Sequence, residues 1–374
     1  MNILMTALQP GGGIRTFFRY VYGHPAFNDC VFTLVAPDQG LGDYLSEFLP
    51  PGRIELVPAS RGKCGYIKQL RGFARGGSFD LVHSHGFSAG ILLQIAMTGI
   101  KTPHLMTGHD MFTAPLFSGL KGQIKRLMIG FFLQRITAIH AVTADAKNNI
   151  LEFFPSIPER RVHDILHGIE TEKFQAGLAH DVRADIGLSP DVPLVGFFGR
   201  FMSPKGFKVL VDAIDHINRN LITEQTPHVA TFGWGGFIRE DYAYLEELGL
   251  KDYFHQMPQT NNMAGALKGV DVVAMPSRWE ACGLLAMEAL AAGVPIVGSD
   301  CAGLREVLDG SPARQVPVGN ARALADALLD EINNLEQRRD AFQAYQSEAV
   351  ERFAIDRPAR ALADLYRQLG TRAF

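Results

Sequence analysis

Only four cysteines occur in 374 residues, Cys30, Cys64, Cys282 and Cys301, and no two of them stand as C-x-x-C. Their scarcity and scatter argue against a zinc ribbon or a disulfide scaffold and fit a reducing cytoplasm. No apolar run approaches the ~18 residues needed to span a bilayer, so the chain is not expected to cross a membrane. The N-terminus, MNILMTALQPGGGIRTFF, lacks the basic flank, long apolar stretch and cleavage site of a secretory leader and reads as a first strand and loop. Internal repeats and low-complexity tracts are missing as well, which removes solenoids and disordered tails.

What is present is ordinary for a globular enzyme: 47% hydrophobic and 20% charged residues. The length exceeds what one core usually fills, so two domains of roughly 150–200 residues are expected. Charge is uneven. Residues 1–170 hold 16 Lys and Arg against 12 Asp and Glu, whereas the remainder holds 20 against 27. The first half is therefore the one suited to an anionic partner.

Short β-rich runs alternate with helical patterns: NILMTAL, CVFTLVAP, FDLVHSH, HLMTGHD and AIHAVTADA, and later PLVGFFGRF, HVATFGWGG, DVVAMPS and VPIVGSD. That rhythm predicts parallel sheets with crossover helices. Residues 160–190 read as a linker between two such series. Ala361, Leu362, Leu365 and Leu369 fall at helical spacing and predict an amphipathic terminal helix docked on a domain. The expected domains are 1–170, 171–352 and a returning helix over 353–374.

Ligands of open α/β sheets bind beyond the carboxyl ends of the strands. Two stretches there carry the chemistry. In EACGLLAMEALAAGVPIVGSD, residues 280–300, a loop passes into a helix closed by Gly293, and Glu280 and Glu288 flank Gly283. The N–H groups of Gly283, Leu284 and Leu285 are expected to be unpaired donors suited to phosphate. The acids would be repelled by that phosphate, so their expected partners are hydroxyls. Taken alone, an E-x7-E pair reads as a loop glutamate and a solvated helix glutamate. In GFFGRFMSPKG, residues 196–206, Arg200 and Lys205 offer a guanidinium fork and a point charge to a diphosphate.

In this order the two stretches resemble the G-R-x4-K-G loop and E-x7-E motif of the GT-B retaining glycosyltransferases of family four. The resemblance spans nearly the whole chain. ALQPGGGIRTFFRYV is similar to the family's first glycine-rich loop, and HGIETEKF to its interdomain N-G-V-D-x-x-x-F, with His167 in place of asparagine. FGWGG and SDCAGLREV resemble its G-x-G and D-x-G-G-x-x-E stretches. Cys282 stands where phenylalanine is frequent.

The resemblance implies two Rossmann-like, doubly wound parallel-sheet domains facing across a cleft, the first binding an acceptor and the second a nucleotide sugar. Arg200 and Lys205 would bind the donor diphosphate, Glu288 its ribose, Glu280 a hydroxyl of its sugar, and Gly12 and Gly13 would approach its phosphate. Base contacts would come from backbone near Met257. His109, at the end of LMTGHD, would contact the transferred sugar or the reacting centre and, with Glu280, be catalytic; in isolation it reads as a capped loop histidine. His83 and His85 would serve structure or line the acceptor side. Trp234 and Trp279 would flank the cleft.

No D-x-D triplet occurs, so a metal-bridged diphosphate is not indicated and no metal or cofactor is expected. The implied reaction moves a hexose from a nucleotide sugar to a saccharide, lipid-linked or other glycan acceptor with retention, the cations neutralising the leaving group. A sugar-nucleotide epimerase of the same fold and a non-catalytic nucleotide-sugar-binding subunit are the other readings. A dinucleotide dehydrogenase fails because Thr16 stands where G-x-G-x-x-G needs glycine. Nucleic acid is disfavoured by the net charge of −3. Residues 53–75 and LFSGLKGQIKRLMIGFFLQRI are basic and partly apolar, which fits anionic lipid at the inner, cytoplasmic face of a membrane, an anionic acceptor, or a solvated helix over a buried stripe.

Overall fold

Strands form where β-branched and aromatic runs can be buried on both faces, and helices where apolar residues recur on one side. The computed structural model describes residues 1–220 and 225–371. The chain divides into two units, Met1–Gly168 joined by Ile355 onward, and Ile169–Ala354.

In the first unit, β1 (Asn2–Ala7), β2 (Val31–Ala36), β3 (Ile54–Pro58), β4 (Leu81–His85), β5 (His104–Gly108), β6 (Ala138–Ala141) and β7 (Val162–Asp164) form one parallel sheet ordered 3-2-1-4-5-6-7. In the second, β8 (Leu194–Phe198), β9 (His228–Phe232), β10 (Phe254–Met257), β11 (Val272–Met275), β12 (Ile296–Ser299) and β13 (Arg314–Val316) form a parallel sheet ordered 10-9-8-11-12-13. Every residue of β4, β5, β8 and β11 is buried, as parallel strands covered by helices on both faces require. These are two Rossmann-like sheets.

The strand order reverses between β1 and β4 in one sheet and between β8 and β11 in the other. At such a point the loops leaving two adjacent strands run to opposite faces, and a crevice opens at their carboxyl ends. Gly12 and Gly13 follow β1, and His85 ends β4. Arg200 and Lys205 follow β8, and Glu280 follows β11.

Two expectations are corrected. The 160–190 stretch is not all linker: Val162–Asp164 is the edge strand β7, too short and with only Val162 buried to show a period. In the terminal helix Asp356–Thr371, Leu362, Leu365 and Leu369 enter the first unit's core beside Ile3, Phe18 and Phe27, but Ala361 faces outward.

Candidate active site

In the second unit the reversal of strand order brings Lys205 and Glu280, 75 residues apart, into contact: Lys205 Nζ donates to Glu280 Oε1 at 2.6 Å. Ser277, in the loop that leaves β11, donates its hydroxyl to the same oxygen at 2.7 Å. Glu280 is 9% exposed, and a carboxylate so buried needs such partners. Both bonds fall on Oε1, and among the described residues none falls on Oε2.

Two glycines fix this geometry. Gly206 has φ 69°, and a Cβ there would lie 1.9 Å from Pro276 O, so only glycine lets the Lys205 loop pass under β11's exit. Gly303 has φ 77°, and its Cβ would lie 2.2 Å from Glu280 O. The thiol of Cys301 is pushed up to about 12 by burial and then by nearby Glu280, which keeps it protonated and inert as a nucleophile.

Arg200 lies exposed on the same loop as Lys205. Helix Leu284–Ala292 begins after Gly283 and carries half-buried Glu288. The expected trio of unpaired N–H groups is corrected here: Leu284 N–H donates to Cys282 O at 2.9 Å, because the chain tightens into the helix. Gly283 is small for packing, its Cβ position lying 2.9 Å from Leu304 Cδ1. Leu285 is half-buried, and Met257 ends β10 with its side chain buried. Trp234 is exposed and Trp279 half-buried.

In the first unit Gly12 precedes helix Gly13–Tyr22. Phe17 of that helix meets the rings of His109 and His167 edge-on, both at 5.1 Å. His109 also joins a buried hydrogen-bonded chain that sequence reasoning did not find. His140 Nε2 lies 2.9 Å from Ile165 O, a group that only accepts, so Nε2 carries the proton. Burial holds His83, His85, His109 and His140 below the ordinary imidazole range, His140 to about 4, and the rings are neutral. His140 Nδ1 therefore accepts from the Thr107 hydroxyl at 3.0 Å. Thr107 in turn accepts from His83 Nε2–H at 2.8 Å, and His83 Nδ1 accepts from Tyr366.

The Tyr366 oxygen can then accept from Tyr22, 3.1 Å away. Tyr22 accepts from His85 Nε2–H at 2.9 Å, and His85 Nδ1 from His109 Nε2–H at 3.0 Å. This direction gives every oxygen in the chain a donor and leaves His109 Nδ1 as a bare acceptor. His167 ends in the same state: its Nδ1–H donates to Gly168 O at 2.6 Å, and its buried Nε2 has no partner among the described residues. Both rings can thus accept from hydroxyls.

Residues 12–165 match the family model described as glycosyl transferase 4-like domain, and residues 192–334 match the model described as glycosyl transferases group 1. The chain belongs to these glycosyltransferases. It is 29% identical over 309 residues to a D-inositol 3-phosphate glycosyltransferase of Xylanimonas cellulosilytica, covering 78% of this chain and 72% of that one. It is 28% identical over 217 residues to the lipopolysaccharide core biosynthesis mannosyltransferase LpsB of Rhizobium meliloti, covering 55% and 60%. Among solved structures, Anabaena HepE in complex with UDP-glucose superposes with a TM-score of 0.84 at 18% identity, covering 98% of this glycosyltransferase and 100% of HepE. That likeness establishes the GT-B fold.

Proposed function

We propose that this glycosyltransferase moves a hexose from a nucleoside-diphosphate sugar to a hydroxyl of a glycan or lipid-linked acceptor, with retention and without a metal. The observation that carries the reading is the Lys205–Glu280–Ser277 contact beside Arg200 at a strand-order reversal. Lys205 has three N–H donors, so it can hold Glu280 and a phosphate oxygen together. Arg200 grips the diphosphate bidentately, and the backbone at Gly283 and Leu285 adds donors. As the anomeric C–O bond breaks, negative charge collects on the departing diphosphate, and these fixed cations stabilise it.

Glu280 Oε2 accepts from a hydroxyl of the donor sugar, and Glu288 from the ribose. Gly12 and Gly13 leave room for the phosphate, Met257 backbone meets the base, and His109, neutral with Nδ1 bare, accepts from a sugar hydroxyl. The known names fit this reading: one similar structure holds UDP-glucose, and one relative is a mannosyltransferase of lipopolysaccharide core.

The test is a panel of nucleotide sugars scored by thermal shift and then by product analysis with candidate acceptors. A stabilising donor consumed with release of nucleoside diphosphate and an α-linked product from an α-linked donor is expected. Initial rates should be unchanged in EDTA; a rate abolished by chelation and restored by Mg²⁺ or Mn²⁺ would refute the metal-free mechanism.

A further inference from the structure

Helix Gly119–Leu133 displays its apolar residues outward. Leu120, Ile124, Leu127, Met128 and Phe131 recur at i, i+4, i+7, i+8 and i+11, a single stripe at helical period, and their exposures run from 51% to 75%. The opposite face is the one that packs, through Gly122, Ile129, Gly130 and Leu133. A Cβ at Gly122 would lie 2.4 Å from the Phe117 backbone, and one at Gly130 would lie 3.2 Å from the Phe154 ring. The helix cannot roll its leucines inward, because the space beneath it admits only glycine there. Arg126 pins the same orientation, donating Nε–H and Nη2–H to Phe153 O at 2.9 and 2.8 Å.

The charge on this helix and on the segments that flank it in sequence has one sign. Exposed Lys121 and Lys125 flank the stripe, and the Arg135 guanidinium stacks on Phe131, 3.4 Å from the ring centre. No Asp or Glu occurs between Asp110 and Asp145. Leu116, 39% exposed, extends the apolar surface just before the helix. A contiguous apolar stripe of this kind marks an interaction surface. An apolar stripe flanked by cations, on a segment that carries no carboxylate of its own, selects an occupant that is anionic at its surface and apolar beneath, which is the constitution of a bilayer carrying anionic lipid. A second copy of the chain fits worse, since a twofold pairing would set the same cations against one another.

We propose that helix Gly119–Leu133 lies flat on an anionic lipid bilayer, with Leu120, Ile124, Leu127, Met128 and Phe131 at the acyl boundary and Lys121 and Lys125 among the headgroups. No helix among the described residues is long and apolar enough to cross a membrane, so this contact is peripheral. It stands independently of the donor chemistry proposed above.

The full chain is sedimented with phosphatidylcholine vesicles, with and without phosphatidylglycerol. Binding is expected only to the mixed vesicles, weakening as salt rises. The double variant Leu127→Asp, Phe131→Asp should lose at least about 10-fold in vesicle affinity, as two charges are placed in the acyl boundary. Lys121→Gln and Lys125→Gln should each lose about 5-fold on mixed vesicles. All these sites are exposed, so circular dichroism and melting temperature should match the native chain. A native protein that stays in the supernatant with mixed vesicles, or an aspartate variant that sediments with them equally, overturns the proposal. So does a vesicle-free dimer that the aspartates split into monomers, which would assign the stripe to pairing between copies.

Discussion

Lys205 answers to two acceptors at once, and its replacement separates from that of Arg200 on this ground. Arg200 is exposed and its loss should leave stability alone, whereas Lys205→Ala strands the carboxylate of Glu280, which keeps only Ser277. Both substitutions should lower turnover by on the order of 10- to 1,000-fold, because each removes charge that meets the leaving diphosphate. Only Lys205→Ala should also lower the melting temperature, since an unpaired buried charge is costly. Steady-state kinetics and thermal melts of both variants check this, and normal turnover in both would remove the phosphate site from this loop. Gly303 offers an independent handle on Glu280. Gly303→Ala puts a Cβ into the Glu280 carbonyl at a positive φ, and a cost of about 1–3 kcal/mol is expected. At roughly 2–4 °C per kcal/mol for a unit of this size, calorimetry should resolve it.

At the scale of elements, the histidines of β4, β5 and β6 make the first unit acid-sensitive. His140 and His167 are lowered to about 4 and His104 to about 3, all by burial first, while the unfolded chain titrates near 6.5. Between those values the unfolded state binds more protons, so stability is complete above about pH 6.5 and falls as pH drops toward 4. Each histidine contributes a slope on the order of 1 kcal/mol per pH unit across that window. Urea unfolding at pH 7.5, 6 and 5 measures the slope, and His140→Asn should make it shallower by one histidine's share; a pH-independent midpoint would mean these rings take up protons in the fold as readily as in the unfolded chain.

The strands themselves were legible, because a run such as LVGFF or VVAM between turn residues has few other fates. The ion pair of Lys205 with Glu280 was not, since the sequence placed both in a donor site without showing that they bond each other. His83 and His85 stood out as H-x-H, but their bridge to His140 depends on register, which sets His85 beside Thr107 and Thr107 beside His140. Tyr366, 283 residues from His83, carried no local sign. The 119–133 stripe could be read with either face inward, and glycines at 122 and 130 decide it only once their neighbours are known.

At the scale of the whole molecule, the second unit is one continuous segment and the first is not. Residues 169–354 made alone should therefore fold cooperatively, whereas a chain ending at Ala354 should lose soluble yield, because the faces that Leu362, Leu365, Tyr366 and Leu369 cover stay open. Solubility and near-ultraviolet circular dichroism of the two fragments distinguish these outcomes; a soluble, native-like 1–354 chain would show the terminal helix to be dispensable. The discontinuity also has a cost in time. Synthesis proceeds at about 5–20 residues per second, so the residues between Gly168 and Thr371, where the helix that completes the first unit ends, take roughly 10–40 s to add. Throughout that interval the first-made half of the protein is the unfinished one, with an apolar slot where the last helix belongs and a buried histidine still lacking its tyrosine. The later-made half can reach its native state first, which reverses the usual order of domain folding on the ribosome and leaves the nascent first unit the part most in need of a chaperone.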